Sequence, residues 1–510
     1  MATRSKRFVS GLLTGYATIG INVISTLISI PLALAYLDKE QFGLWALALQ
    51  ISGYLALLEM GMSGALFRFV ADYKDDVNGG EYGSLLVTGA LVFAIQGVFI
   101  AIVGVIFSYF APALFAIPDH LAYDFAWLLG INSVLAGISI GLRSLSSPLW
   151  AFQRLDIINN YGSFGLIVRL LLMWVGFRIG WGVYSLVIST IPTILLTPIA
   201  HGWISWRNRY FPNRRHWGFP RWDIFKEIFA FGRDGMLLSI GSQLVNATQI
   251  AIISRILGLD AAASFSIGTK LYSMGQQVFH KIIESAAPGL TEIYIRGEIE
   301  LFLRRYWEVI FATLSFATIG AVALTSGNSA FVELWTSGKV IWSPISDALL
   351  GLLIVFTSLS RCFVSLFGIT KDLRSVRVLY LIEGVLFVPC AILGAKWYGV
   401  EGVLAASLAV HLMIAVSFSV KSASKVLGPF RRLLYPTLLS LALTALALIS
   451  IYFNLMVGFN AVTRFMLTLL PTSVGLILIW TFTLPATART QIIDKIPLIL
   501  RPRKLTANEP

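Results

Sequence analysis

Charge is what this chain lacks most. Only 13% of its 510 residues are Asp, Glu, Lys or Arg, about half the usual share for a water-soluble globular protein. Cysteine is nearly absent as well, with Cys362 and Cys390 the only two, which excludes a disulfide scaffold and leaves two thiols expected to be buried in apolar segments. Proline numbers 18, and the 43 glycines follow no three-residue period, so collagen and Pro-rich disorder are excluded too. Catalytic signatures are missing: the sequence has no phosphate loop, no HExxH, no paired CxxC and no GxSxG, and its five histidines are scattered. The chain is therefore not expected to be an enzyme, to bind nucleotide, or to need a metal or cofactor.

What it has in abundance is apolar residues, 57% of the total, with a mean hydropathy of +0.79. They come in runs of membrane-spanning length, about 20 residues or more. Spans are expected near 8–35, 42–70, 84–111, 122–149, 157–178 and 181–205. Six more lie near 227–255, 262–291, 304–328, 345–369, 376–396 and 400–424, and two trail near 433–453 and 461–485. The expected fold class is thus all-α and integral to a membrane, with about fourteen helices, because strands in lipid would alternate in segments of about ten residues. The amino-terminal run is too long for a signal peptide and is expected to be a retained first helix.

Against this apolar background a net charge of +13 demands explanation. With the amino end in the cytoplasm, about 26 of the cations fall in cytoplasmic connections, about 6 outside and about 7 within the spans. The cytoplasmic set runs from Arg4, Lys6 and Arg7 through the cluster Arg207 to Lys226 and on to the tail beyond residue 486. Both termini are accordingly expected in the cytoplasm. No long basic and aromatic domain stands outside the membrane, so nucleic acid is not an expected partner.

Segments in the two halves repeat weakly. Gly15, Thr18, Asn22, Ser25 and Ser29 recur at steps of 3 and 4 on the first span, and Ser239, Ser242, Asn246 and Gln249 do so on the seventh, with Gln243 beside them. Gly180-Trp181-Gly182-Val183 is echoed by Gly399-Val400-Glu401-Gly402-Val403. The expected organisation is an N-lobe at 1–206, a basic cytoplasmic linker at 207–226, a C-lobe at 227–425, two further helices at 433–485 and a cytoplasmic tail at 486–510.

The stretch 42–71, FGLWALALQISGYLALLEMGMSGALFRFVA, resembles the second-helix signature of the polysaccharide transporter (O-antigen, Wzx-type flippase) family, part of the multidrug/oligosaccharidyl-lipid/polysaccharide (MOP) exporter superfamily. The amino-terminal cations, the six-plus-six pattern and the two trailing helices agree with it. The resemblance implies a MATE-like fold of two six-helix lobes in a bacterial cytoplasmic (inner) membrane. It also implies movement of an undecaprenyl-diphosphate-linked oligosaccharide to the periplasmic leaflet, for O-antigen, lipopolysaccharide or exopolysaccharide, with membrane lipids and a polysaccharide polymerase complex as partners.

The residues themselves point to an anionic substrate. Ionisable side chains within spans are costly, at least about 2.5 to 3.5 kcal/mol each at the bilayer centre, and so are functional candidates. The cations are Arg68, Arg143, Arg169, Arg233, Lys270, Lys281 and Arg361, and the acids considered with them are Glu59, Asp234, Glu284 and Glu383. An excess of cations suits a diphosphate, which Arg can grip with two hydrogen bonds and Lys as a point charge. Arg169, Lys270, Arg361, Arg143 and Lys281 are therefore expected to line a substrate cavity, with Asn22, Asn246, Gln243 and Gln277 as its uncharged polar lining. Lys270, Gln277, Lys281 and Glu284 share one helical face over roughly 20 Å. Their alternative role is an intrahelical Lys281 to Glu284 pair with Lys270 snorkelling. Arg68 and Arg233 read as interfacial anchors. Glu59, Glu383 and Glu284 are candidates for coupling to a proton or sodium gradient, against the alternative, for Glu59 and Glu383, of pairing with an arginine of another helix. Two other functions stay open: a multidrug/cation antiporter, which would want an acidic cavity, and a membrane glycan polymerase or ligase, which would want a large external loop. The longest external connection is expected near Ser326 to Ser343, where Glu333 stands as a lone interfacial carboxylate beside Trp335 and Trp342.

Overall fold

The computed structural model describes residues 2–370, 373–428 and 431–482. The tail 486–510, Lys371 and the side chains of Arg4, Lys6, Arg7, Asp234, Arg374 and Arg377 lie outside the described residues. Among the described residues every regular element is helical. Among these residues eleven stretches are long and apolar enough to cross a membrane. One of them, residues 378–427, is two helices in series: Gly399 takes a left-handed φ of 63° that ends the first, and the Gly394 and Gly402 backbones then lie too close for either to carry a side chain.

Burial explains why so apolar a chain is stable. On the helix Glu81–Leu114, Phe93, Gly97, Ile100, Gly104, Ser108 and Ala111 are buried. Leu91, Ile95, Val98, Phe99, Ile102 and Ile106 of the same helix point outward. In water such an outer stripe would drive aggregation; in lipid it is the surface that hydrocarbon covers. The inner face depends on close approach, since Gly97 meets Gly137 of the helix Asp119–Gly141 without room for a Cβ on either. Cys362 is buried as expected, whereas Cys390 is exposed. The expectation for Cys390 fails because an apolar helix in a membrane buries one face in protein and turns the other to lipid.

Several expected spans are broken. The run 42–70 becomes helices Lys39–Leu55 and Met62–Asp72, separated by a 3-10 turn Ala56–Glu59 and by Met60 and Gly61 at φ 58° and 68°. The run 262–291 divides at Thr269 into Leu259–Gly268 and Lys270–Ile295. Conversely, the expected external connection from Ser326 is helical as far as Trp335, within the helix Ile299–Trp335. Its polar side chains find partners in the protein instead of water: Ser326 Oγ donates to Val322 O and Asn328 Nδ2 to Gly268 O. Nor is Glu333 a lone carboxylate, because it pairs with Arg464, itself buried.

The chain divides into two compact units. The first holds 1–267, 335–340 and 377–406; the second holds 268–334, 341–376 and the chain from Ser407. The first is centred on Leu66, Tyr82, Phe93, Ile140 and Ile228, and the second on Phe302, Tyr306, Cys362, Phe363 and Leu366. In the first unit the basic segment after Arg207 is pinned in place. Tyr82 OH donates to Tyr210 O at 2.8 Å, Asn213 N donates to Asn78 Oδ1 at 3.0 Å, and Arg221 bonds both Asp223 and Glu81. Arg221 holds the exposed Asp223 carboxyl below its ordinary range.

Candidate functional site: charged side chains within the helices

In the first unit, the break at Ala56–Glu59 turns Glu59 inward, where it is buried. Its carboxylate pairs with Arg143, which opens the 3-10 turn Arg143–Ser146, and accepts the Ser63 N–H at 3.0 Å. Arg143 also donates to Ser63 Oγ at 3.2 Å, and Gln96 Nε2 donates to the Glu59 carbonyl at 3.2 Å. Two residues expected in different roles, substrate cation and coupling acid, thus form one network.

Arg169 differs. It lies half-buried in the helix Leu155–Arg178, and among the described residues it makes no hydrogen bond and no ion pair. Its helix packs along the first helix through a polar seam in which Thr18 Oγ1 bonds Ser163 Oγ at 2.8 Å and Asn159 Nδ2 donates to Thr14 Oγ1 at 3.2 Å. Asn22 continues the Thr14 and Thr18 stripe and is exposed.

Further along the first unit, Gln243 is half-buried and Asn246 is exposed, folding its amide back onto Ser242 O at 2.9 Å. Glu383 is buried on the helix that packs against this turn, since Gly384 lies against Leu244 and the Gly241 carbonyl. Arg68 is exposed and pairs loosely with Asp72 at 3.9 Å.

In the second unit, Lys270, Gln277, Lys281 and Glu284 share the single helix Lys270–Ile295. Lys270 is half-buried and Gln277 exposed. Glu284 sits between two cations, Lys281 Nζ at 3.6 Å and Arg361 Nη2 at 2.9 Å, all partly exposed. One acid between two cations leaves the trio with a net positive charge. Gln276 Nε2, reaching Thr357 Oγ1 at 3.3 Å, ties this helix to Pro344–Ile369, which carries Arg361.

Sequence reasoning missed one acid. Asp347, in the first turn of Pro344–Ile369, is fully buried and accepts hydrogen bonds from Asn328 Nδ2 at 2.6 Å and Trp342 Nε1 at 2.7 Å. A carboxylate inside the expected span 345–369 was the available signal. Its place next to Pro344 and Ser346 gives it the look of an interfacial residue.

A family model described as "Polysaccharide biosynthesis protein" matches residues 10–294. No curated relative matches the chain. Among solved structures, the lipid II flippase MurJ in an inward closed conformation is similar at a TM-score of 0.70 and 16% identity, covering 96% of this chain and 100% of its own. An inward-facing multidrug resistance MATE family transporter of the MOP superfamily gives 0.62 and 14%, covering 79% of this chain and 95% of its own. A MOP superfamily transporter from Pyrococcus furiosus, for which a reversed polarity of the binding pocket suggests a different function, gives 0.50 and 14%, covering 83% and 94%. The fold is therefore the MATE-like fold expected.

Proposed function

Since the chain belongs to the polysaccharide biosynthesis protein family, on a match covering residues 10–294, we propose that it is a flippase for a lipid-linked oligosaccharide. It carries an undecaprenyl-diphosphate-linked repeat unit from the inner to the outer leaflet of a bacterial cytoplasmic membrane by alternating access, with both termini in the cytoplasm. Without a nucleotide-binding motif in the sequence, a proton or sodium gradient supplies the drive, and a polysaccharide polymerase receives the product.

The observation that carries this reading is Arg169. A guanidinium inside an apolar helix is costly, and one that has no acidic partner among the described residues gains most from an arriving anion. A diphosphate supplies paired oxygens that match the guanidinium fork. The net positive trio of Lys281, Glu284 and Arg361 supports the same substrate charge. A cavity for cationic drugs would need the opposite balance, and the buried Glu59 is already neutralised by Arg143.

The test is transport of a fluorescent lipid-linked oligosaccharide in proteoliposomes. Arg169→Ala should slow movement by roughly tenfold to a hundredfold, the worth of one charge-assisted hydrogen bond of about 1.5–3 kcal/mol. Arg169→Lys should recover part of the rate. Unchanged movement in Arg169→Ala refutes the site, and efflux of cationic drugs with no glycolipid movement favours the antiporter.

A further inference from the structure

Asp347 is a buried ionisable group to which the proposed function gives no role. Asp347 has no exposed surface, and the way its two oxygens are treated is unequal. Both donors, Asn328 Nδ2 and Trp342 Nε1, land on Oδ1. Oδ2 is buried and makes no hydrogen bond of ordinary geometry, the Ser329 N–H and hydroxyl standing beside the carboxyl without closing one, and Asn328 Oδ1 likewise has no donor. A carboxylate carries the same charge on each oxygen, so an ionised Asp347 would leave half of its buried charge without a well-formed hydrogen bond. A neutral carboxylic acid has no such symmetry: its carbonyl oxygen accepts and its hydroxyl donates.

We propose that Asp347 is a proton-binding site, holding its proton on Oδ2 with Asn328 Oδ1 as the acceptor and Oδ1 as the carbonyl oxygen. One added proton then supplies the donor that two buried acceptors lack. Because Asn328 Nδ2 already bonds Oδ1, the second bond closes the two side chains into an acid–amide ring. The balance is simple: an O–H bond forms on Oδ2 when a proton arrives from water, and breaks when the proton returns to water, leaving the carboxylate.

The surroundings are uncharged. Thr325, Asn328 and Ser329 come from Ile299–Trp335, Trp342 from the segment before Pro344, Ser346 from Asp347's own helix, and Gly268 contributes backbone. The ionisable residues nearest along these elements are Lys270, Glu333 and Lys339. Glu333 is taken by Arg464, Lys339 by the Leu34 carbonyl, and Lys270 has an interaction of its own. No described cation balances the carboxylate, so the proton is the group that can.

The site also has something to move. Asn328 spends its other N–H on the Gly268 carbonyl at 3.0 Å, at the point where the chain breaks before Lys270. The Trp342 ring lies where a Cβ on Gly268 would stand. Loss of the proton sets the lone pairs of Oδ2 and Asn328 Oδ1 against each other, so the Asn328 amide has to turn and release Gly268. Ile341, next to Trp342, is exposed, so displacing one indole admits water. The proton site stands on its own geometry; its use as the coupling step of transport rests on the function proposed above.

Infrared difference spectroscopy of the full chain in lipid nanodiscs, stepped between high and low pH, reads the site directly. A protonated-carboxyl C=O band that titrates in the wild type should vanish in Asp347→Asn. In Trp342→Phe, which keeps the carboxyl and removes one donor to Oδ1, the band should move to higher frequency. Identical carbonyl spectra in wild type and Asp347→Asn, or a band unmoved in Trp342→Phe, overturn the proposal, as does a response at Asp347 to sodium at constant pH in place of the pH response. In proteoliposomes, an imposed pH gradient should accelerate glycolipid movement in the wild type and not in Asp347→Asn; equal acceleration in both removes Asp347 from coupling. If no glycolipid moves in the wild type, the infrared band still decides the proton site, so the two readings fail separately.

Discussion

Removing Arg143 should cost far more stability than removing the charge of its partner. Glu59 has 11% of its side-chain surface exposed and Arg143 has 35%. In Arg143→Ala the buried carboxylate keeps only the Ser63 N–H, and breaking a buried pair in this way costs about 3–5 kcal/mol. The partial exposure of the guanidinium side lets water reach the gap, so the low end, about 3 kcal/mol, is expected. In Glu59→Gln the remaining cation still reaches Ser63 Oγ and solvent, and about 1 kcal/mol is expected. The difference, about 2 kcal/mol, is roughly thirtyfold in the folding equilibrium. The double variant Arg143→Ala with Glu59→Gln buries no unpaired charge and should be more stable than Arg143→Ala alone. Unfolding by denaturing detergent in mixed micelles measures all three. Equal effects of the two single variants, or a double variant less stable than Arg143→Ala, would refute the reasoning.

Other perturbations follow from the same geometry. Gly97→Ala drives a methyl into the Gly137 carbonyl, so a loss of about 1–3 kcal/mol is expected in the same unfolding assay. Gly20→Ala meets no atom within 4 Å and should be neutral or stabilising by up to about 1 kcal/mol. Glu284→Gln removes the acid shared by Lys281 and Arg361; because all three are partly exposed, the stability loss should stay under about 1 kcal/mol. The same variant should bind anionic lipid-linked substrate more tightly at low salt, with the gain lost at high salt. A flotation assay with substrate-doped vesicles checks it.

What sequence made legible was the membrane and most of its helices, because a run of apolar residues declares its solvent without reference to any neighbour. The breaks within runs were not legible. Met60 and Gly61 sit in a stretch of membrane-spanning length that only Glu59 interrupts before Arg68, and the turn there is stabilised by Gln96 and Arg143, which come from distant parts of the chain. For the same reason Glu59 and Arg143, 84 residues apart, could each be marked as costly but not joined. The helix Ile299–Trp335 ran past its expected end because Asn328 and Ser326 satisfy their polarity inside the protein. Asp347 was overlooked through that error: with residues 326–343 taken as an external connection, an acid at its edge reads as solvated.

Pairing changes what the seven interior cations can mean. An anion is drawn by net charge, so a cation already balanced by an acid contributes little. Arg143 is spoken for by Glu59 and the exposed Arg68 leans on Asp72. Lys281 and Arg361 share one acid, so the pair leaves one positive charge, and Arg169 leaves another, since the acid of its own helix, Asp156, is taken by Arg154. The surplus therefore sits in both units rather than in one. Arg169→Ala and Arg361→Ala should each slow glycolipid movement, and their losses should multiply in the double variant if both lower the barrier of one rate-limiting step. Delays that add instead of multiplying would place them at successive steps of the cycle. Steady-state rates of the two single variants and the double variant in proteoliposomes decide between a shared step and two successive ones.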